Sequence, residues 1–325
     1  MKEKILFLIG SLCLLLSTPT FAIHLEAGNQ NTGRELAVTF DDLPVVSTRN
    51  DLPAQKEITT KLLKNITASK IPAIGFVNEV KLYQQNRRDE EQIELLRMWL
   101  AAGLELGNHT YSHLDLHVTP LEQFENDVLQ GEIITRELTT ARSSTPRFFR
   151  HPFLHTGMSQ EIRQQFEEFL RLHGYRVAPV TIDNSDWIFA RAYDNAFARG
   201  DKKMMKRIGD AYVPYMERKL AYFERQSLEL FGRDIHQVLL LHANSINAEY
   251  FGELVRMMKR RGYRFISLEQ ALADKAYQEP DKYTGTGGIS WLHRWALTKG
   301  VSKTFFAGEP ATPAFVMKAA GVSSE

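Results

Sequence analysis

The chain has 325 residues, of which 43% are apolar, so it can bury a large core in one large domain or two small ones. Its 40 basic and 39 acidic residues leave a net charge of +1, and no long run of Lys or Arg forms the basic stripe that nucleic-acid binding requires. Composition therefore argues against a nucleic-acid-binding protein and against a protein held on an anionic membrane surface.

The first 22 residues have the pattern of a secretory signal peptide. Lys2 and Lys4 give a positive start, the run 5–16 is almost wholly apolar, and small residues flank a cleavage point after Ala22. An apolar run of about 12 residues is shorter than the ~20 that a membrane-spanning helix needs. We therefore predict an exported protein, periplasmic or secreted, without stable membrane insertion.

The single cysteine, Cys13, lies inside this segment, so the mature chain contains none. This excludes disulfides, a thiolate nucleophile and cysteine-ligated zinc. Any metal ion must therefore be held by His, Asp or Glu.

Strands and helices are predicted to alternate through the rest of the chain. In chain order the pattern predicts a strand over 35–40, a helix over 54–69, a strand over 74–77, a helix over 90–102, a strand over 104–107, a helix over 121–138, a strand over 148–150, a helix over 159–173, a strand over 176–181, one or two helices within 189–231, a strand over 238–241, a helix over 250–261 and a strand over 264–266. Such alternation predicts an α/β fold with mainly parallel strands, whose functional side chains lie at the carboxyl ends of those strands.

Polar clusters follow several of the predicted strands. Asp41 and Asp42 end the first strand, where one carboxylate can ligate a cation while its neighbour takes a proton from water, although acidic residues before Leu-Pro also mark ordinary turns. His109 and His113 are four residues apart, which predicts two imidazoles on one face of a helical turn, but this spacing also arises by chance. His117, four residues further on, is predicted to be a surface residue.

Three other side chains have both a chemical and an ordinary interpretation. His242 follows an apolar strand and is either a core histidine or, if Asp186 lies beside it, a protonated group ready to donate to a leaving amine. Arg150 is either a surface charge or the partner of a carboxylate. Trp187 is either a core residue or an apolar wall for a sugar ring.

Taken in order, five of these segments resemble the motifs of the polysaccharide deacetylase family, which has the NodB homology domain and forms carbohydrate esterase family four. The matching segments are Thr39-Phe40-Asp41-Asp42, His109-Thr110-Tyr111-Ser112-His113, Arg150-His151-Pro152-Phe153, Asp183-Asn184-Ser185-Asp186-Trp187 and Leu240-Leu241-His242. The resemblance runs from about Arg34 to Ala273. It implies a catalytic domain over 34–275, after the signal peptide 1–22, and a C-terminal extension over 276–325 that packs on it.

The resemblance implies a distorted (β/α) barrel and a role for each matched residue. Asp42, His109 and His113 would bind a divalent metal, with zinc preferred over cobalt, manganese or nickel. Asp41 would be the general base, oriented by Arg150, and His242 the general acid, tuned by Asp186. Phe153 would supply a backbone amide to the oxyanion, and Trp187 would contact the sugar. The expected partner is an N-acetylated carbohydrate polymer such as peptidoglycan, a chitin-like chain or an exopolysaccharide, and the oligomeric state stays open.

Two positions depart from the family motifs: His151 stands where proline is usual, and Ala243 where aspartate usually follows the histidine. Both departures leave the named catalytic groups in place but make the substrate less certain than the reaction. The alternatives are an O-acetyl esterase or another amidohydrolase on the same fold, an iron-dependent oxygenase, and a carbohydrate-binding protein that has lost catalysis.

Overall fold

The computed structural model describes residues 33–325 of the chain, so the predicted signal peptide lies outside the described residues. The strands are β1 (Arg34–Leu43), β2 (Ile74–Val77), β3 (Tyr83–Gln84), β4 (Arg87–Arg88), β5 (Glu105–Asn108), β6 (Phe148–Phe149), β7 (Arg176–Val177), β8 (Gln237–His242) and β9 (Tyr263–Phe265). The α-helices are α1 (Leu52–Ala68), α2 (Glu90–Ala101), α3 (Leu121–Gln130), α4 (Ile133–Thr140), α5 (Gln160–Leu172), α6 (Asp186–Ala198), α7 (Lys202–Phe231), α8 (Ser245–Arg260), α9 (Leu268–Ala271), α10 (Trp291–Lys299) and α11 (Ala314–Ala320).

The main sheet contains seven parallel strands in the order β7-β6-β5-β2-β1-β8, with β9 also pairing with β1. β1 lies near the middle and is buried on both faces: Leu36, Val38 and Phe40 are buried on one face, and Ala37 and Thr39 on the other. Beyond β7, the chain at Ile182 forms a parallel bridge to Leu239 of β8. The sheet therefore curls into the distorted (β/α) barrel that the family resemblance implies, and all its main strands end at the same rim.

The predicted helix over 121–138 is wrong, because the chain forms two helices, α3 and α4, with a break at Gly131. A Cβ atom at Gly131 would lie 2.4 Å from the carbonyl carbon of Thr110 and 2.5 Å from the amide nitrogen of Tyr111. The helix boundary therefore packs directly on the segment that carries His109 and His113. The local periodicity of the sequence carries no signal for this long-range contact.

Several other boundaries also differ from the sequence patterns. Only Arg176–Val177 of the predicted strand 176–181 pairs as a strand, although the chain reaches β8 again at Ile182. α8 begins at Ser245 rather than 250, because the Asn244 side chain accepts a hydrogen bond from the Asn247 amide and caps the helix.

The C-terminal extension contains two helices, α10 and α11, and shares the core of the barrel. Trp291, Trp295 and Val316 belong to the same buried cluster as Leu36 and Phe40 of β1. Among the helices of residues 33–325, none has the length and apolar content needed to cross a membrane.

Candidate functional site

A cavity of about 430 Å³ opens at the rim where the parallel strands end. It is lined by residues at the ends of β1 and β8 and by residues that follow β5, β6 and β7, because the carboxyl ends of parallel strands meet at one edge of a sheet. The lining residues are Asp41, Asp42, Val46, His109, His113, His151, Phe153, Leu154, Asp183, Asn184, Trp187, Leu240, His242 and Gly288. The segments that the sequence analysis singled out, distant in the chain, therefore surround one cavity.

Three side chains on one side of this cavity form a set of metal-ligating atoms. The Asp42 Oδ1 atom lies 3.7 Å from His109 Nε2 and 3.6 Å from His113 Nε2. Ligand atoms ~2.1 Å from a tetrahedral cation are about 3.4 Å apart, so this spacing fits one divalent ion. The Nδ1 atom of His109 hydrogen-bonds the carbonyl of Arg150 at 2.7 Å, so that nitrogen carries the proton and Nε2 presents its lone pair.

The charge states of these groups also fit a metal site. Burial lowers the pKa of both His109 and His113 to about 4, so the imidazoles are neutral near pH 7 and their lone pairs are free. Burial alone would raise the pKa of Asp42, but the charges of Lys81 and His242 outweigh it and bring that pKa below its ordinary value. Two neutral imidazoles and one carboxylate, with room beside them, are a donor set that could hold one divalent cation and leave a position open.

The two histidines lie on an irregular loop, so the prediction of a helical turn between them is wrong. Thr110 and His113 have left-handed backbone angles, with φ of 66° and 58°, a conformation that costs free energy in residues other than glycine. Hydrogen bonds hold the loop in place: the His113 amide donates to Thr110 Oγ1 at 2.9 Å, and Asp127 on α3 accepts from both the amide and the hydroxyl of Ser112.

Asp41 lies beside the donor set and is paired with Arg150. Arg150 Nη1 is 3.2 Å from each carboxylate oxygen of Asp41, and both side chains are buried. The guanidinium is itself held by the Ala178 carbonyl and the Thr39 hydroxyl. Burial raises the pKa of Asp41, and the charge of Arg150 opposes that rise. The result is a carboxylate that is more basic than usual and fixed in direction.

Also lining the cavity, His242 hydrogen-bonds the fully buried Asp186. His242 Nδ1 is 2.7 Å from Asp186 Oδ1, and the His242 amide donates to Asp186 Oδ2 at 2.8 Å. Desolvation would lower the pKa of His242, but Asp186 outweighs it and raises that pKa to about 9. Asp41 and His242 are register partners on β1 and β8, so a carboxylate and an imidazolium face one cavity from neighbouring strands.

Two aromatic side chains stand at the mouth of the cavity. Phe153 is 54% exposed and Trp187 is 41% exposed, unusually high fractions for large apolar groups beside a pocket. Phe153 also has a left-handed backbone, with φ of 56°.

Of the two residues that depart from the family motifs, His151 is buried against Phe149 and Phe166 and lines the cavity outside the donor set. Ala243 is buried, and its amide donates to the Asp41 carbonyl at 3.3 Å.

The site also includes residues that sequence analysis did not identify. Lys81 donates to the backbone carbonyl of Asp42 at 2.7 Å, and Asn247 donates to Asp186 Oδ2 at 2.7 Å. Gly288, from the C-terminal extension, lines the cavity beside Phe153. Lys81 and Asn247 lie in a 3₁₀ turn and a helix with no motif of their own, and only the folded chain brings them to the site.

A second group, made of Asp115, His117 and His155, lies outside this cavity. Asp115 Oδ1 is 2.7 Å from His155 Nδ1, and the rings of His117 and His155 are stacked with centroids 3.8 Å apart and planes within 4°. The ligand atoms of the three residues lie within 4.8 Å of one another, but Asp115 and His155 already hydrogen-bond each other. His117 is half-buried rather than fully on the surface.

Sequence comparison finds similarity between this chain and deacetylases. Residues 28–178 match the family model described as polysaccharide deacetylase. The chitooligosaccharide deacetylase of Bradyrhizobium sp. (strain ANU 289) is 29% identical over 135 residues, which cover 42% of this chain and 53% of that protein. The peptidoglycan-N-acetylglucosamine deacetylase of Bacillus cereus is 26% identical over 153 residues, which cover 47% and 46%. The chain thus spans about half the length of these curated relatives.

Solved structures with the same fold agree with this match. The chitin deacetylase of Colletotrichum lindemuthianum is 19% identical, with a TM-score of 0.51 over 75% of this chain and 89% of that one. A CE4 family pseudoenzyme from Bacillus anthracis is 14% identical, with a TM-score of 0.50 over 74% of this chain and 66% of that one. At these identities the likeness establishes a common fold and does not extend to activity.

Proposed function

Because the chain carries a polysaccharide deacetylase domain, we propose that it is a metal-dependent hydrolase that removes N-acetyl groups from an N-acetylated sugar polymer. One observation carries the proposal. A three-donor set that could hold a metal, a carboxylate fixed by an arginine and an imidazolium fixed by a buried aspartate all line one cavity. Hydrolysis of an amide needs each of these groups: a polarising centre, a base and an acid.

The proposed metal ligands are Asp42, His109 and His113. A divalent cation held there, zinc by preference, would polarise the acetyl carbonyl and lower the pKa of a nearby water. Two hydrogen bonds orient the ligands. The Arg150 carbonyl fixes the tautomer of His109, and Lys81 donates to the backbone carbonyl of Asp42. This arrangement keeps the donor atoms aimed at one point before any substrate arrives.

Asp41 is the proposed general base. A base must be ionised, close to the attacking water and basic enough to take its proton. Asp41 Oδ2 lies 3.9 Å from His109 Nε2, beside the metal set, and Arg150 keeps both its oxygens in place. Burial makes the carboxylate more basic, while the arginine opposes its neutralisation. The Asp41–Arg150 pair thus meets all three conditions.

His242 is the proposed general acid. The departing sugar nitrogen must be protonated as the carbon–nitrogen bond breaks, and a histidine with a pKa of about 9 carries that proton near pH 7. Asp186 binds Nδ1, so Nε2 is the atom left to donate. Phe153 would contribute its backbone amide to the oxyanion, and the exposed face of Trp187 would contact the sugar ring.

Three alternative functions share this geometry in part. An O-acetyl ester would use the same base and metal but has a leaving group that needs less help from an acid. An iron-dependent oxygenase would use the two histidines and one carboxylate but has no use for the Asp41–Arg150 and His242–Asp186 pairs. A carbohydrate-binding protein without catalysis would not need five catalytic side chains, and all five are present.

The positive start, the apolar run and the small residues Thr20 and Ala22 support export and cleavage after Ala22. An exported enzyme would meet peptidoglycan, a chitin-like chain or an exopolysaccharide. Residues 34–275 would form the catalytic domain and 276–325 an extension of it.

Acetate release tests the proposal. The chain is stripped of metal, reloaded with zinc and given acetylated chitooligosaccharides or peptidoglycan, with Asp41→Asn as the matched variant. We expect zinc-dependent release that Asp41→Asn lowers by ~10²–10⁴-fold while its zinc content stays the same. If neither sugar releases acetate but an O-acetyl ester does, the chain is an esterase. Full activity in Asp41→Asn would remove that residue as the base.

A further inference from the structure

The C-terminal extension contributes one residue, Gly288, to the lining of the catalytic cavity. Gly288 lies directly against Phe153: a Cβ atom added to it would be 1.7 Å from the Phe153 carbonyl oxygen and 3.2 Å from His155 Cδ2. Nothing larger than a hydrogen atom fits there. The backbone of the extension therefore lies in direct contact with the third-motif loop, at the side of the cavity where Phe153 is exposed.

The segment around Gly288 is anchored at both ends. On one side Asp281 forms ion pairs with two buried arginines, Arg163 at 2.6 Å and Arg294 at 2.7 Å. On the other, the Ser290 hydroxyl donates to the Thr181 carbonyl at 2.7 Å, and the Trp291 amide donates to Val180 at 2.7 Å. Charge pairs of this kind, closed off from water, hold their geometry firmly.

The segment between the anchors also has internal support. The Tyr283 hydroxyl donates to the Gly287 carbonyl at 3.0 Å, and Arg294 lies over the Tyr283 ring at 5.0 Å. The ring of His117, stacked on His155, contacts the backbone of Thr286. The loop 283–289 is thus fixed to the rim of the barrel and held beside Phe153.

We infer that the loop 283–289 is a specificity-determining wall of the catalytic cavity, which stops a bound sugar chain from extending past Phe153. This inference rests on the proposed function and adds a substrate class to it: short oligosaccharides, or the terminal units of longer chains. An N-acetyl group deep inside a polymer would need chain on both sides of the reacting sugar. Towards Trp187 there is room for further sugar units, because a second cavity of about 350 Å³ shares Val46 and Trp187 with the first.

Two adjacent glycines allow a sharp test. In Gly288→Ala the new methyl group meets the Phe153 carbonyl and must displace the loop. In Gly287→Ala the nearest atoms, Ile289 Cγ2 and the Tyr283 hydroxyl, are both 3.6 Å away, so the loop stays. Tyr283→Phe loosens the loop without adding bulk, because it only removes the hydrogen bond to Gly287.

The measurement is acetate release from N-acetylglucosamine oligomers of two to six units, with mass spectrometry to locate the deacetylated unit. Wild type and Gly287→Ala should act at a terminal unit, with a rate that stops rising after the first few sugars. Gly288→Ala and Tyr283→Phe should raise the hexamer-to-dimer rate ratio by about fivefold, the scale of one added sugar contact. The ratio is independent of any general loss of activity.

Internal deacetylation of the hexamer by wild type, or an unchanged ratio in both loosened variants, overturns the wall while acetate release still supports the proposed function. Binding of the same oligomers to Asp41→Asn tests the wall without turnover. A dissociation constant that stays the same from trimer to hexamer supports the wall. An affinity that rises about tenfold over that range, or no binding of any oligomer, overturns it whatever the activity.

Discussion

At the scale of single residues, His113 and His117 illustrate how little spacing alone determines. Each lies four residues from the preceding histidine, yet only His113 reaches the donor set with Asp42 and His109. The difference comes from the left-handed backbone of Thr110 and His113 and from the clamp that Asp127 places on the loop. The conformation of the loop, which Asp127 of α3 holds in place, therefore decides that His113 and not His117 joins the donor set.

We predict that His113→Gln weakens zinc binding and that the matched variant His117→Gln does not. Loss of one of three protein ligands should cost more than the ~10–100-fold that removal of an outer-shell partner costs. Titration of the metal-stripped protein with zinc, followed by calorimetry, gives both affinities. Equal weakening in the two variants would contradict the assignment of the donor set.

The pair His242–Asp186 sets the expected pH dependence. Because Asp186 raises the pKa of His242 to about 9, the protonated acid is present below that pH and is lost as the pH rises through it. Activity should therefore fall on the alkaline side near pH 9. In Asp186→Asn the pKa of His242 should drop to its ordinary ~6.5 or lower, so the alkaline fall moves to lower pH. Profiles of kcat/KM between pH 5 and 10 measure the shift.

Asp194→Asn is the control for that profile. Asp194 is on the same helix, α6, and is equally buried, but its carboxylate accepts from Ser47 and Thr48 and not from His242. The activity of Asp194→Asn should still fall near pH 9, as in the wild type. An unchanged profile in Asp186→Asn would remove His242 as the group that titrates.

At the scale of elements, the break between α3 and α4 positions the metal-binding loop. Gly131 lies against the backbone of Thr110 and Tyr111, which is rigid and cannot give way as a flexible side chain can. We predict that Gly131→Ala lowers the free energy of unfolding by ~1–3 kcal/mol, the usual cost of overpacking, and weakens zinc binding as well. Urea unfolding and zinc titration measure the two effects.

Gly252→Ala on α8 is the matched control. The closest atom to its new methyl group is Asn65 Oδ1 at 3.1 Å, the end of a side chain that can move aside. Since alanine is favoured over glycine in a helix by up to ~1 kcal/mol, this variant should be as stable as wild type or more stable, with unchanged zinc affinity. A Gly131→Ala protein that is as stable as this control would mean that the loop tolerates the displacement.

These elements also show what a sequence can and cannot predict. The strands β1 and β8 are apolar runs that end at polar clusters, so their type and the location of the site at their ends could be predicted. Asp41, Asp42, His109, His113, Arg150, Asp186 and His242 all lie at this rim. The break at Gly131 and the contacts of Lys81 and Asn247 depend on residues far away in the chain, and no local pattern encodes them.

At the scale of the whole molecule, the extension and the barrel form a common core. Trp295 is 2% exposed and lies between Phe231 of α7 and Tyr277, with ring centroids 5.8 and 5.6 Å away. Because the contact between Trp295 and Phe231 joins the extension to the barrel, neither part buries its apolar surface alone. The two should therefore unfold together.

We predict that Trp295→Ala lowers the free energy of unfolding by ~3–5 kcal/mol and keeps a single transition, because a large side chain is removed from the shared core. Leu297→Ala on the same helix is the control: Leu297 is 46% exposed, so its loss should change stability by less than ~0.5 kcal/mol. Urea unfolding followed by circular dichroism and by tryptophan fluorescence measures both. Two separate transitions in the wild type, with only the first shifted by Trp295→Ala, would show that the extension folds independently and that the wall at Gly288 can open without unfolding the barrel.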